Sequence, residues 1–484
     1  MKEQPWNQGS MAAPSLAHVQ LIVIEQHHLK GLRMFQCSNC GRHYVKYEGR
    51  CGCTSQWGTI TEIPNPISSQ STRQSDFQNI EPLELSSITP STDVRNKTEI
   101  PEMDRVLGGG LVQGSVILLG GEPGIGKSTL LLQIADHLAQ RGGSILYVAG
   151  EESGDQIKIH TQRLSIVGSG IMILEATQVE SVLHASNTHK PSLIIVDSIQ
   201  TLHSTSLDSP YGTVAQTREC TQLLTANAKH HNITTILAGH VTKEGDLAGP
   251  RLLEHIVDVV LSLEGDRTSQ ARFVRSLKNR FGSTNEIGIF HMETGGFRSI
   301  TDPSQSVLEH RPKTSIGSIL VPIIEGNRPI LTEIQALTTR THAQSPRRSA
   351  TGVDFGRILL ITSVISQRLG LPLHNTDVII NATGGFRINE TATDLGIALA
   401  IISSQRNLPL PSSIAAVGEI GLSGELRPVP RMDNRLLEIY RLGISRVLVP
   451  FSTQKHQAKT GTLDIIQCES LHEATLHVFN ENAE

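Results

Sequence analysis

Aromatic side chains are scarce in this 484-residue chain, at 4% of positions. That scarcity argues against a broad aromatic binding surface. With 42 glycines it favours an α/β fold rich in tight turns. No run of 18 apolar residues occurs, so no transmembrane helix and no membrane partner are expected. The apolar segment at residues 19–24 is too short to span a bilayer, and it lacks the basic lead and small-residue cleavage site of a secretion signal. Excess positive charge is also missing. The net charge is −4, so any nucleic-acid contact must come from local basic clusters. Cysteine is limited to Cys37, Cys40, Cys51, Cys53, Cys220 and Cys468. Four of these crowd together, which is not the spread of a disulfide scaffold. The pattern reads as metal ligation in a reducing compartment, and the cytoplasm is expected.

What is present suits a globular protein: 38% hydrophobic and 18% charged residues, in a length that predicts about three domains. Residues 1–33 carry no assigned fold and read as an N-terminal extension, with Met34 as an alternative start. Residues 34–63 hold the cysteine cluster. Residues 64–98, rich in Ser, Thr, Pro, Asn and Gln, read as a linker. Residues 99–300 and 305–484 each alternate β-rich runs with helical segments. In the first of these, the apolar runs at 115–119, 144–148, 193–196 and 234–238 predict buried strands. Residues 129–140 predict a helix with Leu130, Leu131, Ile134 and Leu138 on one stripe. This alternation predicts a parallel sheet covered on both faces.

One nucleotide-binding loop is present, the run Gly121, Glu122, Pro123, Gly124, Ile125, Gly126, Lys127, Ser128, Thr129. It follows a strand and opens a helix, the context that gives the pattern meaning. The glycines let backbone N–H groups converge on phosphate oxygens, aided by the helix N-terminus. Lys127 is expected to reach the β- and γ-phosphates of ATP, and Ser128 to ligate Mg²⁺. Asp197 ends the strand at 193–196, where a further Mg²⁺-organising carboxylate belongs. Glu151 and Glu152 follow the strand at 144–148, and Glu151 is the favoured general base for water. His240 ends the strand at 234–239 and could sense the γ-phosphate; a lone His is as readily structural.

Cys37-x2-Cys40 and Cys51-x-Cys53 can supply four thiolates to Zn²⁺ and so fold a segment with little core. The second pair is one residue shorter than the usual knuckle. Either the site is tighter than usual, or His43 replaces one ligand.

Further motifs narrow the reading. Val106-Leu-Gly-Gly-Gly-Leu-Val-Gln-Gly114, Tyr147-Val-Ala-Gly-Glu-Glu-Ser153, Asp197-Ser-Ile-Gln-Thr201, Gly239-His-Val-Thr-Lys-Glu-Gly245 and Lys278-Asn-Arg-Phe-Gly282 resemble the RecA-like core of the bacterial RadA (Sms) family. The resemblance runs from about Met34 to the C-terminus. It implies an α/β fold: a RecA-like P-loop ATPase core, a small N-terminal zinc ribbon and a C-terminal Lon-protease-like domain. It further implies a hexameric, DNA-dependent ATPase that drives branch migration in recombinational repair, beside RecA recombinase and on single-stranded and branched DNA. Lys278 and Arg280 carry over as residues that reach a neighbouring subunit's γ-phosphate, as an arginine finger does. Lys243 and Arg251, in the loop after His240, are candidates for DNA phosphate contacts.

In the tail, Asn381-Ala-Thr-Gly-Gly-Phe-Arg387, Asp394-Leu-Gly-Ile-Ala398 and the run 418–430 resemble the Lon proteolytic fold. That chemistry needs a Ser nucleophile and a Lys base. Those family positions fall here on Ala392 and Asp433, so no peptidase activity is expected. Arg340, Arg347, Arg348 and Arg357 read as a basic cluster for DNA. The family's Asp-x-Asn-Arg is Asp354-Phe-Gly-Arg357 here, lacking the Asn. An ATP-dependent protease and a KaiC-type signalling ATPase are the competing readings. The first lacks its dyad, and the second usually carries tandem ATPase halves.

Overall fold

The computed structural model describes residues 34–39, 43–44, 49–53, 60–63, 84, 86, 95–240, 251–265, 270–309, 311–312, 314–341, 345–453 and 460–479. The chain divides into two compact units, Met1–Pro90 and Ser91–Glu484. In the first unit, Met34–Cys37 (β1) pairs antiparallel with both His43–Tyr44 (β2) and Ile60–Ile63 (β3).

The second unit opens with Arg95–Asn96 (β4) paired to Leu111–Val112 (β5). Residues 95–98, assigned by composition to the linker, therefore belong to the folded unit. The Arg95 guanidinium donates to the Leu107, Gly108 and Phe281 carbonyls, and Thr98 is buried.

The large sheet has nine strands: Val116–Gly121 (β6), Ile145–Ala149 (β7), Ile171–Glu175 (β8), Leu193–Asp197 (β9), Thr234–His240 (β10), Val259–Glu264 (β11), Ala271–Asn279 (β12), Ile287–Glu293 (β13) and Gly296–Ser299 (β14). Their order is β14-β13-β12-β11-β6-β10-β9-β7-β8. From β11 to β8 the pairings are parallel. Strands such as β6 and β7 are buried along their whole length, as a sheet covered on both faces requires. The four strands expected from the sequence do pair parallel, and β12, β13 and β14 extend the sheet by antiparallel pairing. Only two residues separate β13 from β14, too few for the crossover a parallel pair needs.

The tail contains Thr314–Ile316 (β15), Ser318–Glu325 (β16), Arg328–Arg340 (β17), Arg348–Thr351 (β18), Thr376–Ala382 (β19), Pro409–Pro411 (β20), Ile414–Ala416 (β21), Glu419–Ile420 (β22), Leu426–Arg427 (β23), Arg446–Pro450 (β24) and Asp464–Cys468 (β25). Seven strands run in the order β18-β19-β17-β16-β21-β24-β25, with β15–β20 and β22–β23 as separate pairs. The helices Phe355–Leu369 and Asp394–Arg406 supply much of its core, and the latter is buried over most of its length.

The two sheets share apolar packing. Ala271, Phe273, Ile287, Ile289 and Ile300 lie in one core cluster with the residues of β16, β17 and β19. The Phe273 and Phe386 rings stand 5.4 Å apart. Glu102, fully buried, meets Arg328 of β17 at 2.7 Å. The fold is a RecA-like P-loop core joined to a Lon-like α/β body, with a small cysteine-bearing N-terminal unit.

Candidate nucleotide site

The parallel strands β6, β10, β9 and β7 end on one edge of the sheet. Register sets His240 beside Gly121, and Asp197 beside Ala149. The edge therefore collects the loop 121–126, His240, Asp197, and Glu151 just beyond β7. The intervening position of β10, between the phosphate-loop strand and the Asp197 strand, is what brings the lone His240 into the group.

Gly124 and Gly126 adopt left-handed φ values of 78° and 113°. A Cβ on Gly126 would also stand 2.8 Å from the Phe297 ring, so conformation and space both require glycine there. The helix Lys127–Gln140 begins at Lys127, two residues earlier than its apolar stripe suggests. It has no side-chain cap and no acidic residue in its first turn. Its leading N–H groups thus form an anion-binding end.

Lys127 is buried, and its Nζ donates to the carbonyls of Gly121 at 2.9 Å and Glu122 at 3.0 Å. His240 Nδ1 lies 3.3 Å from that ammonium, and His240 Nε2 lies 2.9 Å from Glu151 Oε1. Burial pulls the Lys127 ammonium below the ordinary lysine range, against the opposing fields of Asp197 and Glu151. Ser198 Oγ donates to the same Glu151 oxygen at 2.5 Å. Burial pushes the Glu151 carboxyl upward, but hydrogen bonds from Ser198 and His240, with the charges of His240 and Lys127, outweigh it and hold the group low. Glu152 turns elsewhere: its carboxylate lies 3.9 Å from His160 Nδ1, while His160 Nε2 is 3.2 Å from the hydroxyl of buried Thr129. Tyr147 OH donates to Asp197 Oδ2 at 2.8 Å. Burial, with the Asp197 charge behind it, pushes that phenol well above its ordinary range. Ser128 is half-buried at the helix start. Loop amides, a buried ammonium and two carboxylates fit a nucleotide triphosphate with its divalent cation.

Tyr147 and Ser198 entered the sequence reading only inside resemblance motifs, with no role of their own. Tyr147 lies inside an apolar strand, and Ser198 shows no spacing signal of its own; only its place after Asp197 hints at a role. Thr201 is similar. A Cβ on Gly150 would stand 1.8 Å from Thr201 Oγ1, so the turn before Glu151 must be glycine.

Lys278 and Arg280 do not join this group. Lys278 Nζ donates to the Glu254 and Val257 carbonyls, at 2.5 and 2.9 Å. Arg280 Nη1 donates to Asp258 Oδ1 at 3.2 Å, and Asp258 Oδ2 accepts Val116 N at 3.0 Å. Val116 opens β6, whereas the phosphate loop leaves its far end, five strand steps or about 16 Å away.

The Sγ atoms of Cys37, Cys51 and Cys53 all lie within 4.8 Å of one another, with Cys37 and Cys53 at 3.6 Å. Thiolates around tetrahedral zinc at about 2.3 Å stand about 3.8 Å apart, so the three fit such an ion. Cys40 and the His43 side chain lie outside the described residues, as do Lys243 and the Arg251 side chain.

The basic cluster of the tail is smaller than its sequence suggests. Arg357 is committed to the buried carboxylate of Asp394, and Arg348 to the Thr376 and Leu373 carbonyls. Internal acceptors claim both, leaving Arg340 and Arg347 as the exposed members. Ala392 is buried, and Asp433 sits in the first turn of the helix Met432–Arg441.

Two family models match the chain, an AAA domain over residues 81–246 and subunit ChlI of Mg-chelatase over residues 360–453. The DNA repair protein RadA of Bacillus subtilis is 42% identical over 444 residues, covering 91% of this chain and 97% of that protein. RadA of Listeria monocytogenes is 41% identical over 443 residues, covering 91% and 96%. RadA of Streptococcus pyogenes is 44% identical over 417 residues, covering 86% and 92%. Among solved structures, a KaiC-like protein from Pyrococcus horikoshii aligns at 22% identity with a TM-score of 0.36, over 43% of this chain and 98% of its own.

Proposed function

The chain belongs to the RadA family of DNA repair proteins, and from that premise we propose that it is a DNA-dependent ATPase and translocase. Its fold is one that hydrolyses ATP, with nucleotide and Mg²⁺ as cofactors. In our reading it forms a ring, six copies by the family pattern. The ring promotes branch migration of recombination intermediates and processing of stalled forks, on single-stranded and branched DNA and alongside RecA. The domain division given in the sequence analysis, with the ATPase domain now opening at residue 95, serves this reading, with the cysteine segment as a C4 zinc finger and the tail as an inactive Lon-like scaffold.

The observation that carries the proposal is the division of labour across one sheet. Lys127, Glu151, Asp197 and His240 stand together at the ends of adjacent strands, while Lys278 and Arg280 stand at the opposite end of β6. In this scheme the loop 121–126 and Lys127 bind the phosphates, and Ser128 and Asp197 organise Mg²⁺. Glu151 takes a proton from the attacking water. His240, touching both Lys127 and Glu151, links γ-phosphate occupancy to the base. Lys278 and Arg280 of one copy complete the site of the next, which makes hydrolysis depend on assembly.

The test is ATP turnover by the full chain with and without single-stranded DNA, paired with electron microscopy of the DNA-bound form. Stimulated turnover by a closed ring is the expected result. Turnover indifferent to DNA, from a monomer, would return the chain to the signalling-ATPase reading.

A further inference from the structure

Asp258 lies outside the nucleotide site, yet it is the point to which Arg280 is tied. Its carboxylate is buried between the helix Arg251–Glu254 and β11. One oxygen, Oδ2, accepts Val116 N at 3.0 Å and Lys229 Nζ at 2.6 Å. The other, Oδ1, accepts Arg280 Nη1 at 3.2 Å. The Asp258 carbonyl also accepts the Arg280 backbone N–H at 3.2 Å. Main chain and side chain of Arg280 are thus fixed to a single residue, which is itself bonded to the first residue of the phosphate-loop strand.

The guanidinium remains half-exposed, and among the described residues its Nε and Nη2 have no acceptor. A guanidinium offers several donor edges, so one can rest on Asp258 while another faces outward. Charge permits the same. Lys229, Lys278 and Arg280 outnumber the carboxylates of Asp258 and Glu254, so the group keeps an excess of positive charge for an incoming anion.

We infer that Asp258 is a positioning residue: it holds Arg280 with a free donor edge aimed outward, preset for the triphosphate of a second copy of this chain. The inference rests on the proposed action of Arg280 in trans. An Arg already oriented loses less rotamer freedom when it engages phosphate than one that is free.

The experiment compares DNA-stimulated ATP turnover of the full chain with that of Asp258→Asn, Arg280→Ala and the double variant, with ring assembly followed by sedimentation. Asn can keep one acceptor for Val116 N but turns an amide toward a cation. Asp258→Asn is expected to lower kcat about tenfold, with KM for ATP within about twofold and assembly unchanged. In the Arg280→Ala background it should cost nothing further. An equal loss in both backgrounds assigns Asp258 to the fold alone and overturns the inference, and so does unchanged or faster turnover. Normal turnover of Arg280→Ala sinks instead the reading on which the inference rests. Should Asp258→Asn fail to fold, Arg280→Lys decides. A lysine keeps the charge beside Asp258 but has no second planar donor edge to face outward. Turnover should then fall about tenfold with assembly unchanged, and wild-type turnover overturns the inference.

Discussion

Replacing Glu151 with Gln separates basicity from shape. Glu151 Oε1 accepts Ser198 Oγ at 2.5 Å and faces His240 Nε2 at 2.9 Å. An amide oxygen in the same place can keep both contacts. What the substitution removes is the capacity to take a proton from water. General bases contribute about 10²–10⁴ in rate, or roughly 3–5 kcal/mol of barrier. Turnover on single-stranded DNA should therefore fall at least about 100-fold, while ATP affinity stays within about threefold. Single-turnover phosphate release and equilibrium binding of a fluorescent ATP analogue measure the two quantities. The pH dependence has a definite sign. A carboxyl held below its ordinary range stays ionised through that range and loses its base form only as pH falls below it. Wild-type turnover should then show no acid limb from this group between roughly pH 6 and 8. A Glu151→Gln enzyme turning over within about threefold of wild type would refute the assignment. So would an acid limb near neutrality that vanishes in the variant.

Lys127→Ala removes the ammonium that bridges the loop carbonyls and His240, and it should abolish hydrolysis; near-normal phosphate release would remove the phosphate-loop assignment. Metal analysis of the purified chain should find about one zinc per copy, and chelation should unfold the cysteine segment, seen as protease sensitivity near residue 50. Arg328→Met should destabilise the chain by about 3 kcal/mol in urea, because it strips the buried Glu102 carboxylate of its closest cation and leaves only the more exposed Arg105 at 3.4 Å. Adding Glu102→Gln should restore part of that loss, and a further drop would show that the carboxylate is satisfied without Arg328.

The nucleotide loop was legible because its chemistry is local. Gly124, Gly126 and Lys127 sit where spacing alone requires them, between a buried strand and a helix. Asp197 and Glu151 were legible as residues at strand ends, since parallel strands put such ends on one edge. His240 was ambiguous for the opposite reason: its value depends on β10 lying between β6 and β9, and strand order is not written in any one segment. Arg348 and Arg357 misled because a cationic run reads as surface until the acceptors, Asp394 and the Thr376 and Leu373 carbonyls, arrive from distant sequence. Glu102 and Asp258 were silent, and Tyr147 entered only as part of a motif, without a role. Each is a polar group buried by packing that only the assembled sheets create.

The shared core beneath Phe273, Ile287 and Ile289 has a mechanical meaning. Sliding the tail against the ATPase sheet would open apolar surface and tear Arg328 from Glu102. The ATPase sheet and the tail sheet must then travel as a single stiff arm. In the proposed ring, a stroke begun by phosphate release would swing both sheets together, and the give would come from the joints where one copy meets the next.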